Sequence, residues 1–364
     1  MNKIAFIKFG GMANGGTEKV LQTIASHLPK DKFQVDFYYC DAAPYIGSDF
    51  KHLDTDQNRL DYVKSHGVNL IKFKVGAKDI TTYTHDWVDT DFWDLFKEED
   101  YDVIQTGRAG HPEYPFVHIN KTPIVDSIHL AGMSENKSNS VKTILISEEQ
   151  KSKWISTGGP ADRAVIIPVP VIIPDFDETS YKEEFGWSNK FVFGMHQRND
   201  DGIFSPVPIQ SYKDIETEQT AFLMLGGSRK YEEQAKALGV KNIKFLETTS
   251  DVKEIHKFLN TLDVYSHGRI DGEQCSSAII EALSHSLPVV SHNAPSMGQK
   301  EQIGDAGVVA SSLPIYSRAL YDLMNDKKYY EKCRQNAERR YNEIYDVDAI
   351  ITRYTELYKE ICNG

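Results

Sequence analysis

Short apolar runs alternate with helical patterns along the first half of the chain. The positions Val20, Leu21, Ile24 and Leu28 share one face of a helix that follows a glycine-containing turn at 10–16. Runs of strand type surround it, at 4–9, 33–39, 69–75, 101–106, 123–127 and 143–146. Strands that alternate with helices are typical of a parallel sheet covered by helices, so this half predicts an α/β domain.

A second alternation of the same kind begins after residue 190. Helical patterns separate its strand-like runs, which lie at 191–195, 221–227, 243–246, 263–266 and 287–291. Between the two alternations, Pro168, Pro170 and Pro174 interrupt a strand pattern at 164–174, and proline cannot continue a central ladder. This segment is therefore predicted to be the hinge between two domains.

Two alternations in 364 residues predict an α/β protein with two doubly wound, Rossmann-like domains facing each other across a cleft. The predicted N-terminal domain covers 1–165, and the predicted C-terminal domain covers 166–345. A last helix, 346–364, is expected to pack back on the N-terminal domain. Because ligands of open α/β sheets bind outside the carboxyl ends of the strands, facing domains would bring two such edges to one cleft.

The formal net charge of -12 argues against a nucleic-acid partner, since such binding needs a basic surface that displaces counterions. No run approaches the ~20 apolar residues of a membrane-spanning helix, and the N-terminus lacks the pattern of a signal peptide. We therefore expect a cytoplasmic protein, with peripheral contact to a membrane left open. The four cysteines are scattered without metal-ligand spacing, so neither a disulfide framework nor a zinc site is predicted.

The strongest chemical signal is a pair of glutamates with seven residues between them. Glu273 is expected in a loop just after a strand, and Glu281 about one turn into the following helix. Ser276 and Ser277 stand where that helix should begin. Its first backbone amides, helped by the serine hydroxyls, would form an anion site suited to a diphosphate. A carboxylate on the helix can accept the hydroxyls of a ribose, and one before the helix can bind the hydroxyls of a sugar.

The segment 272–290 resembles the glutamate-seven-glutamate motif of glycosyltransferase family 4, whose members are retaining enzymes with the GT-B fold. Further resemblances follow in the expected order along the chain, at 144–148, 166–168, 263–266, 287–290 and 304–307. The resemblance implies a metal-independent transferase without a cofactor. Its donor would be a nucleotide sugar, either a UDP- or a GDP-sugar, bound by the C-terminal domain. The acceptor, a saccharide or a lipid-linked molecule, would bind on the N-terminal side.

The resemblance also implies roles for single residues. Glu281 would bind the donor ribose and Glu273 the transferred sugar. The implied catalytic residues are His129, close to the reacting carbon, Glu273, and Arg198, in contact with the diphosphate. The implied donor-binding residues are Gly15, Gly16, Arg198, Arg269, Glu273, Cys275, Ser276, Ser277 and Glu281. Arg108 and His111 lie near the predicted acceptor edge.

One position departs from the family pattern. The family has a lysine five residues after the arginine, where this chain has Ile203. Either another cation contacts the diphosphate through charge-assisted hydrogen bonds, or the phosphate contacts are reorganised. Arg269, Lys213, Arg229 and Lys230 are candidates, and Arg269 is nearest to the glutamate motif in sequence.

Two other functions are left open by these residues: a nucleotide-sugar epimerase of the same architecture, and a catalytically silent nucleotide-sugar-binding subunit. The turn at 10–16 lacks the G-x-G-x-x-G pattern, which argues against a nicotinamide dehydrogenase. The acidic triplets 54–56 and 89–91 could hold a metal, but we interpret them as surface loops and predict no metal site. The polar segments 41–66 and 76–98 are expected to be long loops that shape the acceptor side.

Overall fold

The computed structural model describes residues 1–41, 54–75, 89–108, 118–129 and 140–363. The chain divides into two compact units. The first unit comprises Met1–Pro170 together with Val347–Gly364, and the second comprises Val171–Asp346. The boundary after Pro170 lies inside the proline-rich segment of 164–174.

In the described part of the first unit, seven parallel strands form one sheet. They are β1 (Asn2–Phe9), β2 (Phe33–Cys40), β3 (Asn69–Lys72), β4 (Val103–Arg108), β5 (Ile124–Ile128), β6 (Ser140–Leu145) and β7 (Ala164–Ile166). Their spatial order is β3-β2-β1-β4-β5-β6-β7, so the winding reverses beside β1 as in a Rossmann-like sheet. The first six correspond to the six predicted runs, and β7 adds the start of the proline-rich segment to the sheet edge.

Four α-helices precede β7 in the described residues of the first unit: α1 (Gly16–His27), α2 (Gln57–Ser65), α3 (Phe92–Leu95) and α4 (Glu148–Ser156). The predicted apolar face of α1 is buried at Val20, Leu21 and Ile24. The helices α2 and α3 lie within the two long polar segments, whose portions 42–53 and 76–88 fall outside the described residues.

The second unit has a parallel sheet of six strands and a separate pair of short strands, counted over its described residues. The strands are β8 (Phe191–Gln197), β9 (Thr220–Gly226), β10 (Ile243–Leu246), β11 (Val264–Ser266), β12 (Gly272–Glu273), β13 (Val289–His292), β14 (Ser296–Met297) and β15 (Gly307–Ala310). The sheet order is β10-β9-β8-β11-β13-β15, and β12 pairs with β14. The winding again reverses beside β8, so the predicted α/β class with two Rossmann-like halves is confirmed.

The helices of the second unit are α5 (Val207–Ile215), α6 (Lys230–Leu238), α7 (Val252–Thr261), α8 (Ser277–Ser284), α9 (Gly298–Ile303), α10 (Leu313–Asn325) and α11 (Lys327–Arg340). A π-helical turn, Tyr341–Tyr345, follows them. The final helix of the chain is α12 (Val347–Asn363). Over the described residues, no helix combines the length and the apolar character needed to cross a membrane.

The helix α12 belongs to the first unit, although it follows the second in sequence. The ring of Tyr358 meets Phe33 of β2 edge-on, with 6.0 Å between ring centroids. Its hydroxyl donates a hydrogen bond to Oε1 of Gln105 on β4, at 2.7 Å. Both partners of this hydrogen bond are fully buried. The last helix thus supplies part of the core of the first sheet.

We expect Tyr358→Phe to lower the free energy of unfolding by about 2 kcal/mol, because the buried Gln105 oxygen loses its donor while the ring stays in place. Urea denaturation followed by circular dichroism measures this loss. The control is Tyr321→Phe, since the Tyr321 side chain is 45% exposed. Equal stability of the two variants would contradict the assigned role of α12.

Candidate active site

Histidines stand at the carboxyl ends of three neighbouring strands in the second unit. His196 lies near the end of β8, His267 directly follows β11, and His292 ends β13. Ligands of open α/β sheets bind at this edge, because the helices that follow the strands begin there. None of the three was singled out from the sequence, although a polar residue that closes an apolar strand pattern is the signal that could have identified them.

Two glycines allow two backbone segments to approach each other closely beside Glu273. Gly272 has φ of 75°, and a Cβ atom there would overlap the carbonyl oxygen of Ser296. A Cβ atom on Gly298 would overlap the carbonyl oxygen of Gln274. The close approach lets β12 pair with β14, so Glu273 lies on a two-residue strand. The loop predicted for Glu273 is therefore wrong.

The Glu273 carboxylate is held by short-range contacts on its own segment. Its Oε1 lies 3.5 Å from Nη1 of Arg269 and accepts a hydrogen bond from the Ser276 hydroxyl at 3.3 Å. The Glu273 amide donates to Oε1 of Gln299 at 3.0 Å, which fixes the backbone. Burial raises the pKa of Glu273 above its usual value, and the Arg269 charge opposes that shift.

Glu281 projects from the fifth position of α8. Its Oε2 lies 2.7 Å from Nε2 of His196. The apolar residues Ile279, Ile280 and Leu283 of α8 are fully buried. The buried face fixes the rotation of the helix and leaves Glu281 on the half-exposed side.

The N-terminus of α8 has no side-chain cap. Ser276 is the N-cap residue, but its hydroxyl donates to Glu273 and accepts no hydrogen bond from the first turn. The Ser276 amide instead donates to Oε1 of Gln302 at 2.7 Å, and Gln302 Nε2 lies 3.4 Å from Sγ of Cys275. The helix begins at Ser277 as predicted, and its first amides carry the partial positive charge of a helix N-terminus.

Two arginines at this edge are each paired with an aspartate two residues further along the chain. Arg198 donates to Asp200 through Nε and Nη2, at 3.1 and 2.8 Å. Arg269 donates to Asp271 through the same two atoms, at 2.6 and 2.9 Å. The Arg269 guanidinium also reaches Glu273, so it lies between the carboxylates of Asp271 and Glu273.

The candidates for the missing cation differ in position. Ile203 is buried, and its carbonyl oxygen accepts from the Ile270 amide at 3.4 Å, which places the segment next to Arg269 against it. Lys213 lies in the last turn of α5, bound to Glu216 at 2.9 Å, and so at the end of the helix remote from the carboxyl edge. Lys230, which begins α6, is 3.5 Å from Asp201. Arg229 is exposed at the N-cap of the same helix.

The glycine turn of the first unit covers a buried ion pair. Nζ of Lys8 lies 3.2 Å from Oε1 of Glu18, and both side chains are almost completely buried. A Cβ atom on Gly15 would overlap the Glu18 carboxylate, whereas one on Gly16 would meet nothing within 4 Å. A side chain at Gly15 would therefore displace the Glu18 carboxylate, and Gly16 begins α1.

His129 follows the last residue of β5 in the same unit. Its two ring nitrogens are buried and make no hydrogen bond to any described residue. Burial, and then the positive charge of Lys8, lowers the pKa of His129 to about 3, so the ring is neutral near pH 7. Arg108 ends β4, and His111 lies outside the described residues.

The acidic triplets have structural contacts. Asp56 caps α2 by accepting from the Arg59 amide at 3.0 Å. Asp91 accepts from the Lys74 amide at 2.6 Å, and Thr90 donates to the Lys74 carbonyl. Across the described ranges, no group of three or more histidine, cysteine or acidic residues is arranged to hold a metal ion.

Sequence comparison relates the second unit to a known family. Residues 207–340 match the family described as glycosyl transferases group 1. The matched segment contains both glutamates and the whole of α8. No curated protein matches the sequence.

Solved structures resemble the chain over its full length. HepE from Anabaena, crystallised with UDP and glucose, has a TM-score of 0.70 at 17% identity, with 99% of this chain and 100% of that chain covered. A glycosyltransferase from Rickettsia africae has a TM-score of 0.78 at 15% identity, with 100% and 99% covered. Sucrose-phosphate synthase from Thermosynechococcus elongatus has 0.69 at 13% identity, with 99% of each chain covered. At these identities the likeness establishes a shared fold.

We expect Gly272→Ala to lower the free energy of unfolding by about 3 kcal/mol or more, because the new Cβ atom combines left-handed strain with a backbone overlap. The control is Gly239→Ala. Gly239 has φ of 64° with nothing near its Cβ position, so only about 1 kcal/mol of strain is expected. Urea denaturation compares the two variants. Equal losses of unfolding free energy would contradict the close backbone contact at Gly272.

Proposed function

We propose that this protein is a retaining glycosyltransferase, which moves a sugar from a nucleotide-sugar donor to a hydroxyl group of an acceptor without a metal or a cofactor. The observation that carries the proposal is the placement of Glu273 and Glu281 around the uncapped N-terminus of α8, at the carboxyl edge of the second sheet. The match of this segment to glycosyl transferases group 1 supports it.

The donor would be bound along one short element. Glu281 would accept the ribose hydroxyls, the first amides of α8 would contact the diphosphate, and Glu273 would hold hydroxyls of the transferred sugar. A UDP-sugar is the favoured donor, because HepE, which shares the fold, was crystallised with UDP-glucose. The segment 275–277 would line this site between the two carboxylates.

The reaction needs positive potential around the diphosphate as it leaves. The N-terminus of α8 and Arg198 would supply it, and Arg269 would take the place of the family lysine because it is the candidate cation that already lies beside Glu273. Guanidinium groups suit this task, since they donate to phosphate oxygens through two hydrogen bonds. The aspartates that pair with both arginines would have to give way to the phosphate oxygens.

Retention would proceed on one face of the sugar. A double displacement needs a carboxylate nucleophile aimed at the reacting carbon, and neither Glu273 nor Glu281 is assigned that position. The acceptor hydroxyl would therefore attack on the face that the diphosphate leaves, and the phosphate would take its proton. His129, neutral and without a partner among the described residues, would hydrogen-bond the sugar near the reacting carbon. Trapping a covalent glycosyl-enzyme would contradict this route.

The first unit would bind the acceptor, which we take to be a saccharide or a lipid-linked molecule. Arg108 and His111 follow or end β4 and would lie on that side. The protein would act in the cytoplasm, with peripheral contact to a membrane where the acceptor is lipid-linked.

A second function, a silent nucleotide-sugar-binding subunit, is favoured by one observation. Ile203 is buried where the family has a lysine, so one phosphate contact of the family is missing. Tight donor binding without transfer to any of a broad acceptor panel would favour this alternative.

The proposed activity predicts which bond is made. With the donor selected by thermal shift from a panel of nucleotide sugars, the product should keep the anomeric configuration of the donor, read from the anomeric coupling constant by NMR. The rate should be unchanged in excess EDTA, because the helix N-terminus and arginines replace a metal. An inverted product, or activity abolished by EDTA and restored by a divalent cation, would contradict the proposal.

The two glutamates should have separable roles. We expect Glu281→Gln to raise the donor KM about tenfold, because a charged acceptor of ribose hydroxyls is lost. Glu273→Gln should lower kcat by about tenfold or more, because its contacts lie at the transferred sugar. Glu233→Gln, on the exposed surface of α6, is the control. Steady-state kinetics measures all three, and kinetics of Glu281→Gln equal to those of the control would remove its assigned role.

A further inference from the structure

We propose that His196 is a positioning residue, which holds the carboxylate of Glu281 in the orientation that receives the donor ribose. The inference rests on the proposed function, since that function assigns the ribose to Glu281. It adds a residue that the glutamate motif does not contain, 85 positions away in sequence and on a different element.

The direction of the hydrogen bond follows from the chemistry of the two groups. Nε2 of His196 and Oε2 of Glu281 are 2.7 Å apart. An ionised carboxylate only accepts hydrogen bonds, so Nε2 carries the proton and donates. The His196 and Glu281 side chains are 14% and 22% exposed, and a hydrogen bond to a charged group gains strength in such a partly shielded place.

The imidazole is itself fixed from a neighbouring strand. The hydroxyl of Tyr265, at the centre of β11, lies 3.2 Å from Nδ1 of His196. The same hydroxyl is 3.2 Å from the His196 carbonyl oxygen and 3.4 Å from its amide nitrogen. Phe258 and Tyr265 also pack edge-on against the imidazole, with centroids at 5.6 and 5.5 Å. The single hydroxyl proton is shared between Nδ1 and the carbonyl oxygen, and the two aromatic rings hold the position of the imidazole before any ligand binds.

This arrangement divides the work of the two carboxylate oxygens. Oε2 of Glu281 is engaged by His196, whereas Oε1 has no hydrogen-bond partner among the described residues. A glutamate on a helix surface otherwise loses side-chain entropy when a ligand orders it. Because His196 has already ordered the group, ribose hydroxyls meet a carboxylate that is preorganised for them.

Other histidines near Glu281 are occupied elsewhere. Nδ1 of His256 lies 2.7 Å from Nε2 of His285, and Nδ1 of His285 lies 2.8 Å from Oδ1 of Asn260. The ring of Phe176 stacks on both imidazoles. His256 is buried in the same unit but is not hydrogen-bonded to Glu281, which makes it a matched control.

The test separates ribose recognition from general loss of structure. Calorimetry of the full chain measures the dissociation constants of UDP and of 2′,3′-dideoxy-UDP, which lacks both ribose hydroxyls. We expect His196→Ala to raise the dissociation constant of UDP about tenfold and to leave that of 2′,3′-dideoxy-UDP unchanged. His196→Gln should restore part of the UDP affinity, because its amide can donate to Glu281. The donor KM should rise with kcat unchanged.

Further variants decide between the possible failures. The double variant of His196→Ala with Glu281→Gln should bind UDP no more weakly than Glu281→Gln alone. His256→Ala should change the dissociation constants of both nucleotides equally or leave both unchanged. If His196→Ala does not fold, Tyr265→Phe is the substitute, because it removes the hydroxyl next to Nδ1 of His196. It should still lower the affinity for UDP more than the affinity for 2′,3′-dideoxy-UDP.

Two results would overturn the inference while the proposed function stands. In the first, the His196 variants lower the affinity for both nucleotides equally. In the second, the His196 variants bind UDP as the unaltered protein does, although Glu281→Gln lowers the affinity for UDP. If Glu281→Gln leaves UDP binding unaltered, the proposed function itself fails. If the unaltered protein does not bind UDP, the UDP assignment fails, and GDP with 2′,3′-dideoxy-GDP answers the same question for His196.

Discussion

The close approach of two backbone segments at Gly272 and Gly298 is the constraint on which the candidate site depends. Side chains at either position would push the segments apart, and β12 could not pair with β14. The same close approach brings α9 near enough for Gln299 and Gln302 to accept hydrogen bonds from the amides of residues 273 and 276. The first glutamate and the start of α8 are therefore positioned by side chains that carry no charge.

The two arginines of the site are held in ion pairs. Each arginine is matched by an aspartate, and Arg269 also faces Glu273. The Arg198–Asp200 pair is exposed, and exposed ion pairs contribute little to stability. Asp200 and Asp271 each accept two hydrogen bonds from their arginine, which fixes the position of both guanidinium groups at this edge.

The alternation of strands and helices was readable because strands of a parallel sheet are buried on both faces and appear as apolar runs. β15 was missed because Gly307–Ala310 is short and stands among turn residues. β12 and β14 could not be predicted, since two residues become a strand only through their partner. The helix start at Ser277 was predicted, whereas the contact between His196 and Glu281 joins two elements whose distance no local pattern encodes. Lys213 was a plausible cation in sequence, and only the direction of α5 separates it from the carboxyl edge.

The position of α12 has a consequence for how the protein is made. The first unit is discontinuous, since its core receives the ring and hydroxyl of Tyr358 from the final helix. During synthesis the residues of the second unit are made before those of α12, so the first sheet receives this part of its core only after the second unit has been synthesised. Until α12 has been made, the apolar surface of the first sheet that Tyr358 covers stays exposed in the nascent chain.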